Sequence, residues 1–443
     1  MVSLTTTDYQ RRRQALLKQL PADSIAVIAA ASEVTRSRDT EFPFRQNSDF
    51  FYLTGFNEPD ALLVLAPQAN TPVTLFCQPS DADAEVWHGR RLGVDAALDK
   101  LGVDAAYSTD TIDEHLFELL NGVHTVFSCH GDNAELDQLL WQLSDGLRQT
   151  PKKGNKAPQQ FSDLRPLLHE MRLIKSAKEL DIMRRAASIT VAAFKRAMHY
   201  AQVGRYEYQV AAELHHEFAS QGALHPAYGT ICGGGDNACI LHYTENSAEL
   251  RDGDLLLIDA GAEYQGYAAD ITRTFPVNGR FSEPQKQLYE LVLKAQQAAF
   301  DEVKPGSNLI AAQQAAAKVI TQGLLELGIL SGTFDDNWRK STWKRFFIHG
   351  LGHWLGLDVH DVGEYQRQGQ PRPFQAGMVL TIEPGIYIPL QAEVDGVAVD
   401  KKWCGIGIRI EDDLIVTADG YENMTAAVSK TVAEVEQWLA QRG

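Results

Sequence analysis

The second half of the sequence repeats one order of predicted elements: a helix, a turn, a second helix and two strand-like runs. The first copy starts with a capping-box pattern at Ser176 and Glu179, and the second starts at Ser282, with a proline in the first turn of its helix. Val203–Gly204 and Pro305–Gly306 provide the turns at similar spacing. Two such halves facing each other would place strand residues of both around one cleft. The repeat predicts an α+β domain with an internal pseudo-twofold duplication.

The preceding part of the chain has a different pattern. Residues 24 to about 130 alternate short apolar runs with polar or helical stretches, which is typical of an α/β domain with a mixed sheet. Residues 150–160 are polar and contain Pro and Gly, so they predict a loop near a boundary. A chain of 443 residues is too long for a single domain with one hydrophobic core. We therefore expect an N-terminal α/β domain over 1–173 and an α+β domain over 174–443.

Charge and cysteine usage limit the partners. The chain has 41 basic and 58 acidic side chains, a net charge of −17, which disfavours nucleic acid and anionic lipid but not divalent cations. No apolar run is long enough to span a membrane, and the first residues lack the apolar segment of a signal peptide. The five cysteines are scattered without a C-x-x-C pair, which favours a reducing cytoplasm over a disulfide framework.

Two aspartates stand at the ends of strand-like runs in the first copy. Asp259 ends the buried run "LLLID", where an unpaired carboxylate is costly, and Asp270 lies in the following run "YAADITRT". A hairpin centred between Tyr264 and Gln265 would place the two aspartates directly opposite each other, with Cβ atoms about 5 Å apart. Two carboxylates this close require a cation or a shared proton between them.

The second copy has the same feature. Glu383 ends the apolar run "MVLTIE", and Glu411 lies within the strand-like "GIGIRIEDDLIV". Each acid alone is more often a solvated strand end or half of a structural ion pair. Four acids in mirrored positions indicate a shared cation site.

Three histidines fall in "FIHGLGHWLGLDVHD", residues 347–361. The glycines make a regular helix improbable, and the motif is not the H-E-x-x-H of zinc peptidases. One histidine joined to four carboxylates forms an oxygen-rich set, which suits two Mn²⁺-like or Co²⁺-like ions better than tetrahedral Zn²⁺. Such paired ions polarise a carbonyl and generate a hydroxide nucleophile.

Together these residues resemble the "pita-bread" metallopeptidases of family M24, and within it the aminopeptidases that act on Xaa-Pro bonds. The resemblance rests on "HGLGHWLGLDVHD", "TIEPGIY" and "GIRIEDD", and it extends to the N-terminal "FPFRQNSDFFYLTGFNEPDALLVL". It therefore covers nearly the whole chain. It implies hydrolysis of the N-terminal Xaa-Pro bond of peptides through a metal-bridging hydroxide.

The resemblance also implies a role for each site residue. The metal ligands would be Asp259, Asp270, His353, Glu383 and Glu411, holding two Mn²⁺ ions, with Co²⁺ or Zn²⁺ as alternatives. Glu383 would also act as general base, and His242, His349 and His360 would be the catalytic histidines, His360 near the scissile carbonyl. Arg409 would hold a ligand carboxylate, and Tyr228 and Arg372 are further candidates for contact with ligands or substrate. A homo-oligomer, dimer or tetramer, is expected. Trp87 would ordinarily pack in a core, but in this family such residues of the N-terminal domain can contribute to subunit contacts near an active site.

Two other functions stay open from the sequence. A prolidase of the same fold must bind the free carboxylate of a dipeptide, and Arg367 or Arg372 could do so. A non-catalytic binding module would be expected to lack one or more ligands, whereas all five are present.

Two motifs predict no chemistry of their own. The glycines of "ICGGGDNACI" lack the pattern of a phosphate loop and predict a turn beside the cleft. The consecutive Arg11, Arg12 and Arg13 are expected on the surface of an amphipathic helix, given the net negative charge.

Overall fold

A computed structural model describes residues 2–394 and 396–442, and its internal contacts divide the chain into two units. One unit is Ser3–Arg172, and the other begins at Leu173 and includes the remainder of the chain. The division falls at the end of the helix Arg165–Leu173, one residue from the boundary placed from the sequence. Among the helices in the described ranges, none is long and apolar enough to cross a membrane.

The N-terminal unit is built on a six-stranded sheet that combines parallel and antiparallel neighbours, as its alternating apolar runs predicted. The strands, in spatial order, are Ala105–Ser108, Val73–Cys77, Leu62–Leu65, Ser24–Ala29, Thr125–Ser128 and Gln160–Asp163. The helices are Thr6–Leu17, Ser48–Thr54, Ala82–His88, Val94–Leu101, Ile112–Leu120, Ala134–Gln149 and Arg165–Leu173. A separate short hairpin pairs Thr35–Ser37 with Thr40–Glu41.

The arginines of the first helix are not a surface cluster. Arg11 is exposed as expected, but Arg12 and Arg13 are buried. Arg13 donates to the carbonyls of Leu53 at 2.8 Å and Gly102 at 2.7 Å, at the ends of two helices. The surface prediction was wrong for these two residues because helix ends leave carbonyls without partners, and these carbonyls accept the guanidinium protons.

The C-terminal unit has the predicted duplication of helix pairs and strands. Its helices are Ala177–Tyr200, Glu207–Ser220, Glu283–Phe300, Leu309–Glu326, Phe334–Lys340 and Val432–Leu439. The first starts at the predicted Ser176 capping box, and the third starts after Ser282, with a proline in its first turn. Both predicted starts are confirmed, because a capping box and a proline in the first turn are local signals and therefore readable from sequence.

The strands of this unit form several small sheets. Three sheets have three strands each: one contains Ile231–Gly234, Leu255–Ala260 and Ile271–Pro276, a second contains Val379–Ile382, Asp412–Val416 and Tyr421–Asn423, and a third contains His225–Pro226, Ala262–Tyr264 and Tyr267–Ala268. A two-stranded sheet pairs Gly385–Ile388 with Ile406–Arg409. Gln366–Arg367 pairs with Gln370–Pro371, and Glu393–Val394 pairs with Val397–Ala398. An isolated bridge between Thr272 and Glu411 joins strands of the two halves. Residues of both halves therefore meet at this point, as the duplication predicted.

The hairpin that carries the two aspartates has a different register from the one predicted. Tyr264 pairs with Tyr267, so the turn is formed by Gln265 and Gly266, which both have positive φ angles of 51° and 84°. This conformation matches a two-residue hairpin turn, for which glycine is favoured. As a result Asp259 is opposite Thr272, and the expected direct pairing of the aspartates was wrong. The shift of two residues keeps Asp270 on the same face, since side-chain direction repeats every two residues.

Candidate metal centre

One cavity of about 570 Å³ in the C-terminal unit collects nearly all the residues singled out from the sequence. Its lining includes the five proposed ligands Asp259, Asp270, His353, Glu383 and Glu411, the histidines His242, His349 and His360, and also Tyr228 and Arg409. Arg372 is 2% exposed and is not among the lining residues that the structure describes.

The carboxylates lie at strand ends. Asp259 is the penultimate residue of the strand Leu255–Ala260, and Asp270 directly precedes the strand Ile271–Pro276. Both strands are buried along their whole length, so their ends are fixed by packing on both faces. Glu383 directly follows the strand Val379–Ile382, which is buried in the same way. Buried apolar strands thus hold these acids with little freedom.

Tyr228 bridges the two aspartates. Its hydroxyl lies 2.6 Å from Oδ1 of Asp259 and also within hydrogen-bond distance of Oδ1 of Asp270. A phenol has one proton, so it cannot satisfy two ionised carboxylates fully. Burial and both aspartates raise the pKa of Tyr228 well above its usual range, so the phenol keeps that proton.

Arg409 connects Asp259 with Glu411 through a threonine. Its guanidinium donates to Oδ2 of Asp259 and, through Nε, to Oγ1 of Thr272 at 3.1 Å. The same Thr272 hydroxyl donates to Oε2 of Glu411 at 2.6 Å. The arginine therefore orients one carboxylate directly and a second through a hydroxyl, which is the expected function of an outer partner at a metal site.

The ring of His353 is held in a geometry that suits a metal ligand. Nδ1 lies 3.0 Å from the carbonyl of Trp354, to which it can donate its proton. Nε2 then faces the acids, 3.5 Å from Oδ2 of Asp270 and 3.5 Å from Oε1 of Glu383. Donation from one ring nitrogen to a carbonyl leaves the other free to coordinate. Ligand atoms of Asp270, His353 and Glu411 all lie within 4.8 Å of one another.

The electrostatics of this group favour a bound cation. Burial, together with the neighbouring acids, raises the pKa of Asp270 and Glu411, that of Glu411 well above its usual range. Burial raises the pKa of Glu383 to about 7, against the opposing effect of His353 and Arg409. Burial lowers the pKa of His353, but its hydrogen bond with Asp270 and the nearby charge of Glu383 outweigh this and raise it to about 9. The protein alone thus leaves these acids short of positive charge, so the donor set fits divalent cations.

His349 is engaged at both nitrogens. Nδ1 lies 2.7 Å from the carbonyl of Gly350, and Nε2 lies 2.8 Å from the hydroxyl of Tyr387. That hydroxyl accepts a hydrogen bond from Arg409 at 2.9 Å, so its own proton is available to Nε2 of His349. Burial and the charge of Arg409 lower the pKa of His349 to about 4, which keeps the ring neutral.

His242 and His360 differ from the other two histidines because their rings are exposed in the cavity. Within the described part of the chain, neither ring makes a hydrogen bond, although the His360 ring centroid lies 4.3 Å from that of His353. Burial and the neighbouring histidines lower the pKa of His360. Both rings are free to contact a bound molecule.

Three neutral residues that hydrogen-bond to the site residues were not predicted from the sequence. These are Thr272 and Tyr387, described above, and Thr381, whose hydroxyl accepts from the main chain of His353 at 3.1 Å and lies 3.2 Å from Oε1 of Glu383. The available signal was the alternation of strand residues, since Thr381 is two positions from Glu383 and Tyr387 lies on the next strand. Hydroxyl residues are common in strands, so that signal alone does not distinguish them.

Comparison with known proteins covers both units. Residues 181–418 match the model of metallopeptidase family M24, and residues 9–127 match the N-terminal domain of aminopeptidase P. The Xaa-Pro aminopeptidase of Escherichia coli is 48% identical over 98% of this chain and 98% of its own length. The structure of a Pseudomonas aeruginosa aminopeptidase superposes with a TM-score of 0.97 at 47% identity, covering 100% of this chain and 99% of its own. Zinc-substituted E. coli aminopeptidase P in complex with product superposes with a TM-score of 0.96 at 47% identity, covering 100% and 99%.

Proposed function

The chain belongs to metallopeptidase family M24, and from that premise we propose that it is an Xaa-Pro aminopeptidase. It is a hydrolase that removes the N-terminal residue from peptides whose second residue is proline. One observation carries the proposal: a single cavity combines four carboxylates with four histidines, two of which, His242 and His360, are exposed. A non-catalytic binding module is disfavoured because the complete donor set is present in a chain similar to these peptidases along its whole length.

The donor set supports two Mn²⁺ ions, with Co²⁺ or Zn²⁺ as alternatives. Asp259, Asp270, His353, Glu383 and Glu411 would hold them, and the ratio of four carboxylates to one imidazole favours Mn²⁺ over tetrahedral Zn²⁺. When bound, such cations polarise a substrate carbonyl and lower the pKa of water.

The chain's own residues would then manage protons and orientation. Water adds to the scissile carbonyl carbon, the C–N bond breaks, and the nitrogen of the leaving proline gains a proton. Glu383 is proposed to accept the proton of the attacking water and deliver it towards that nitrogen. His360, whose ring is free, would donate to the carbonyl oxygen as negative charge develops there. Tyr228, Thr272 and Arg409 keep the ligand carboxylates in place.

A dedicated peptidase for this bond is chemically reasonable. The Xaa-Pro bond is a tertiary amide without an N–H, and it populates both cis and trans forms. General peptidases that bind the substrate main chain through that N–H therefore lose a contact. A cleft shaped for the proline ring avoids the need for it.

The length of the substrate separates this proposal from a prolidase. A prolidase must neutralise the free carboxylate of a dipeptide, which requires a positive side chain in the cleft. Arg372 was a candidate, but it is buried and does not line the cavity in the described structure. We therefore expect the cleft to accept longer peptides and not to require a free carboxylate directly after the proline.

The test is hydrolysis of matched peptides by Mn²⁺-loaded protein. We expect Xaa-Pro-Yaa tripeptides to be cut faster than Xaa-Pro dipeptides, and the matched Xaa-Ala-Yaa tripeptide to be cut slowly. Arg372→Ala should weaken tripeptide binding only modestly. A preference for the dipeptide, abolished by Arg372→Ala, would establish the prolidase instead.

We also propose a cytoplasmic homo-oligomer, dimer or tetramer. All five cysteines are free thiols, which suits a reducing compartment. Trp87 is 82% exposed and Val86 is 79% exposed, on the helix Ala82–His88. Neighbouring exposed apolar side chains of this size favour a contact with another subunit. Size-exclusion chromatography with light scattering, on Trp87→Ala and the parent protein, tests this.

A further inference from the structure

We propose that Glu207, which does not line the cavity, is the positioning residue that holds His242 in it. The inference rests on the proposed function, because it concerns His242, one of the three histidines for which the family resemblance implies a catalytic role. Glu207 is 0% exposed and begins the helix Glu207–Ser220. A carboxylate buried this completely needs several donors, and the identity of those donors indicates what it holds.

All four donors to Glu207 come from one segment, residues 234–248. On one side, Oε1 accepts from the main-chain N–H of Gly234 at 2.7 Å and from the side chain of Asn237 at 3.0 Å. On the other side, Oε2 accepts from the hydroxyl of Tyr243 at 2.8 Å and from the N–H of Ala248 at 2.8 Å. One side chain therefore fixes both ends and the middle of this segment.

The three glycines of "ICGGGDNACI" allow this arrangement. A Cβ atom on Gly234 would lie 2.8 Å from Cδ2 of Leu250 and 3.4 Å from Oε1 of Glu207, and Gly235 has a positive φ of 58°. A side chain at Gly234 would force the main chain away from the carboxylate. The motif is thus a close approach of backbone to Glu207, beside the cleft as the sequence indicated.

His242 depends on this segment for its position. Its ring is exposed and, among the described residues, makes no hydrogen bond, so only its main chain can locate it. The next residue, Tyr243, is 6% exposed and is the residue that bonds to Glu207. Leu241 and Thr244, on either side, also line the cavity. Displacement of the segment would therefore move His242 relative to the substrate.

Glu207→Gln should displace the segment that carries His242, because no orientation of the glutamine amide can accept hydrogen bonds from all the donors. Each carboxylate oxygen faces a main-chain N–H, that of Gly234 or that of Ala248. Whichever way the amide turns, its NH₂ group opposes one of these donors. Tyr243→Phe is a milder variant that removes one donor and leaves three.

The experiment measures kcat, KM and bound Mn²⁺ for Glu207→Gln and Tyr243→Phe, each in the parent protein and in a His242→Ala background. In the parent we expect Glu207→Gln to lower kcat about 10- to 100-fold, since small misplacement of a catalytic group has effects of this size. KM and Mn²⁺ content should change little. In the His242→Ala background the same substitution should change kcat by less than about twofold, because residues acting through one another are not additive. Tyr243→Phe should show the same pattern with a smaller loss.

Glu179→Gln is the matched control. Glu179 is also a buried glutamate in the first turn of a helix, and it accepts from the hydroxyl of Tyr267 at 2.8 Å. Its substitution should lower kcat by the same small factor in both backgrounds. If Glu207→Gln and Tyr243→Phe also lower kcat by the same factor in both backgrounds, the role of Glu207 is only structural and the inference is wrong. If His242→Ala alone retains full turnover, the assignment of His242 to catalysis is wrong as well.

Discussion

A buried ion pair, Lys175 with Asp361, is the clearest place to test how the cavity is held together. Nζ of Lys175 lies 2.8 Å from Oδ2 of Asp361, and both side chains are 1% exposed. Asp361 directly follows His360, and its main-chain N–H donates to the carbonyl of Trp354 at 2.8 Å, the carbonyl that also faces Nδ1 of His353. The pair therefore closes the loop that carries two of the site histidines.

The expected cost of Lys175→Met follows from burial. Lys175→Met takes the opposing charge away from a fully buried carboxylate, which costs about 3–5 kcal/mol. The double variant Lys175→Met with Asp361→Asn replaces the buried charge by a neutral amide, for which the loss of the lysine costs about 1–3 kcal/mol. The double variant should therefore be more stable than Lys175→Met alone. This order is opposite to what independent contacts would give.

The assay is urea unfolding followed by tryptophan fluorescence, with all proteins in chelator so that metal binding does not add to stability. Trp354, which is 1% exposed within the same loop, reports its unfolding. Lys286→Met is the control, because its partner Glu290 lies 4.0 Å away and both side chains are about half exposed; no measurable change is expected there. A loss under about 1 kcal/mol for Lys175→Met, or a double variant less stable than the single one, would refute the reasoning.

Two further predictions concern the metal site. Protein stripped by chelator should be inactive and regain activity with Mn²⁺, and full activity without metal would contradict the proposed metal site. Asp270→Ala should lower kcat by several orders of magnitude, while circular dichroism should show that the fold is retained. His353→Ala should lower both Mn²⁺ content and activity, whereas His360→Ala should keep Mn²⁺ and lose about 10²- to 10⁴-fold in kcat. Metal analysis of both variants checks this, and equal metal loss would show that the two roles are wrongly assigned.

Features that depend on a few adjacent residues could be predicted from the sequence. The helix starts at Ser176 and Ser282 were predicted because a capping box and a first-turn proline both act within one turn. Asp259 and Glu383 could be singled out because each interrupts an apolar run, and a charge at the end of a buried strand is costly without a partner. The chemistry of the cavity was therefore accessible before its geometry was.

Features that depend on distant residues could not be predicted. The register of the aspartate hairpin was decided by the positive φ angles of Gln265 and Gly266, which shift the turn by one residue. Arg13 is buried because it donates to the carbonyls of Leu53 and Gly102, which are distant in sequence. The surface prediction was based on the net charge of the whole chain, which carries no information about such contacts. Thr272 gained its role only through Arg409 and Glu411, more than a hundred positions away.

The four histidines of the cavity are held in two different ways, and the difference follows from what each ring must do. The rings of His349 and His353 are fixed by hydrogen bonds to main-chain carbonyls, which suits groups whose protonation should not change. A ring that donates to substrate cannot have its nitrogens occupied by fixed hydrogen-bond partners. Its position must therefore be set by the main chain, which the neighbouring residue anchors. His242 and His360 both have such a neighbour: Tyr243 is bonded to Glu207, and Asp361 to Lys175. Each anchor lies outside the cavity lining, so it can restrain the main chain without competing with substrate for the ring.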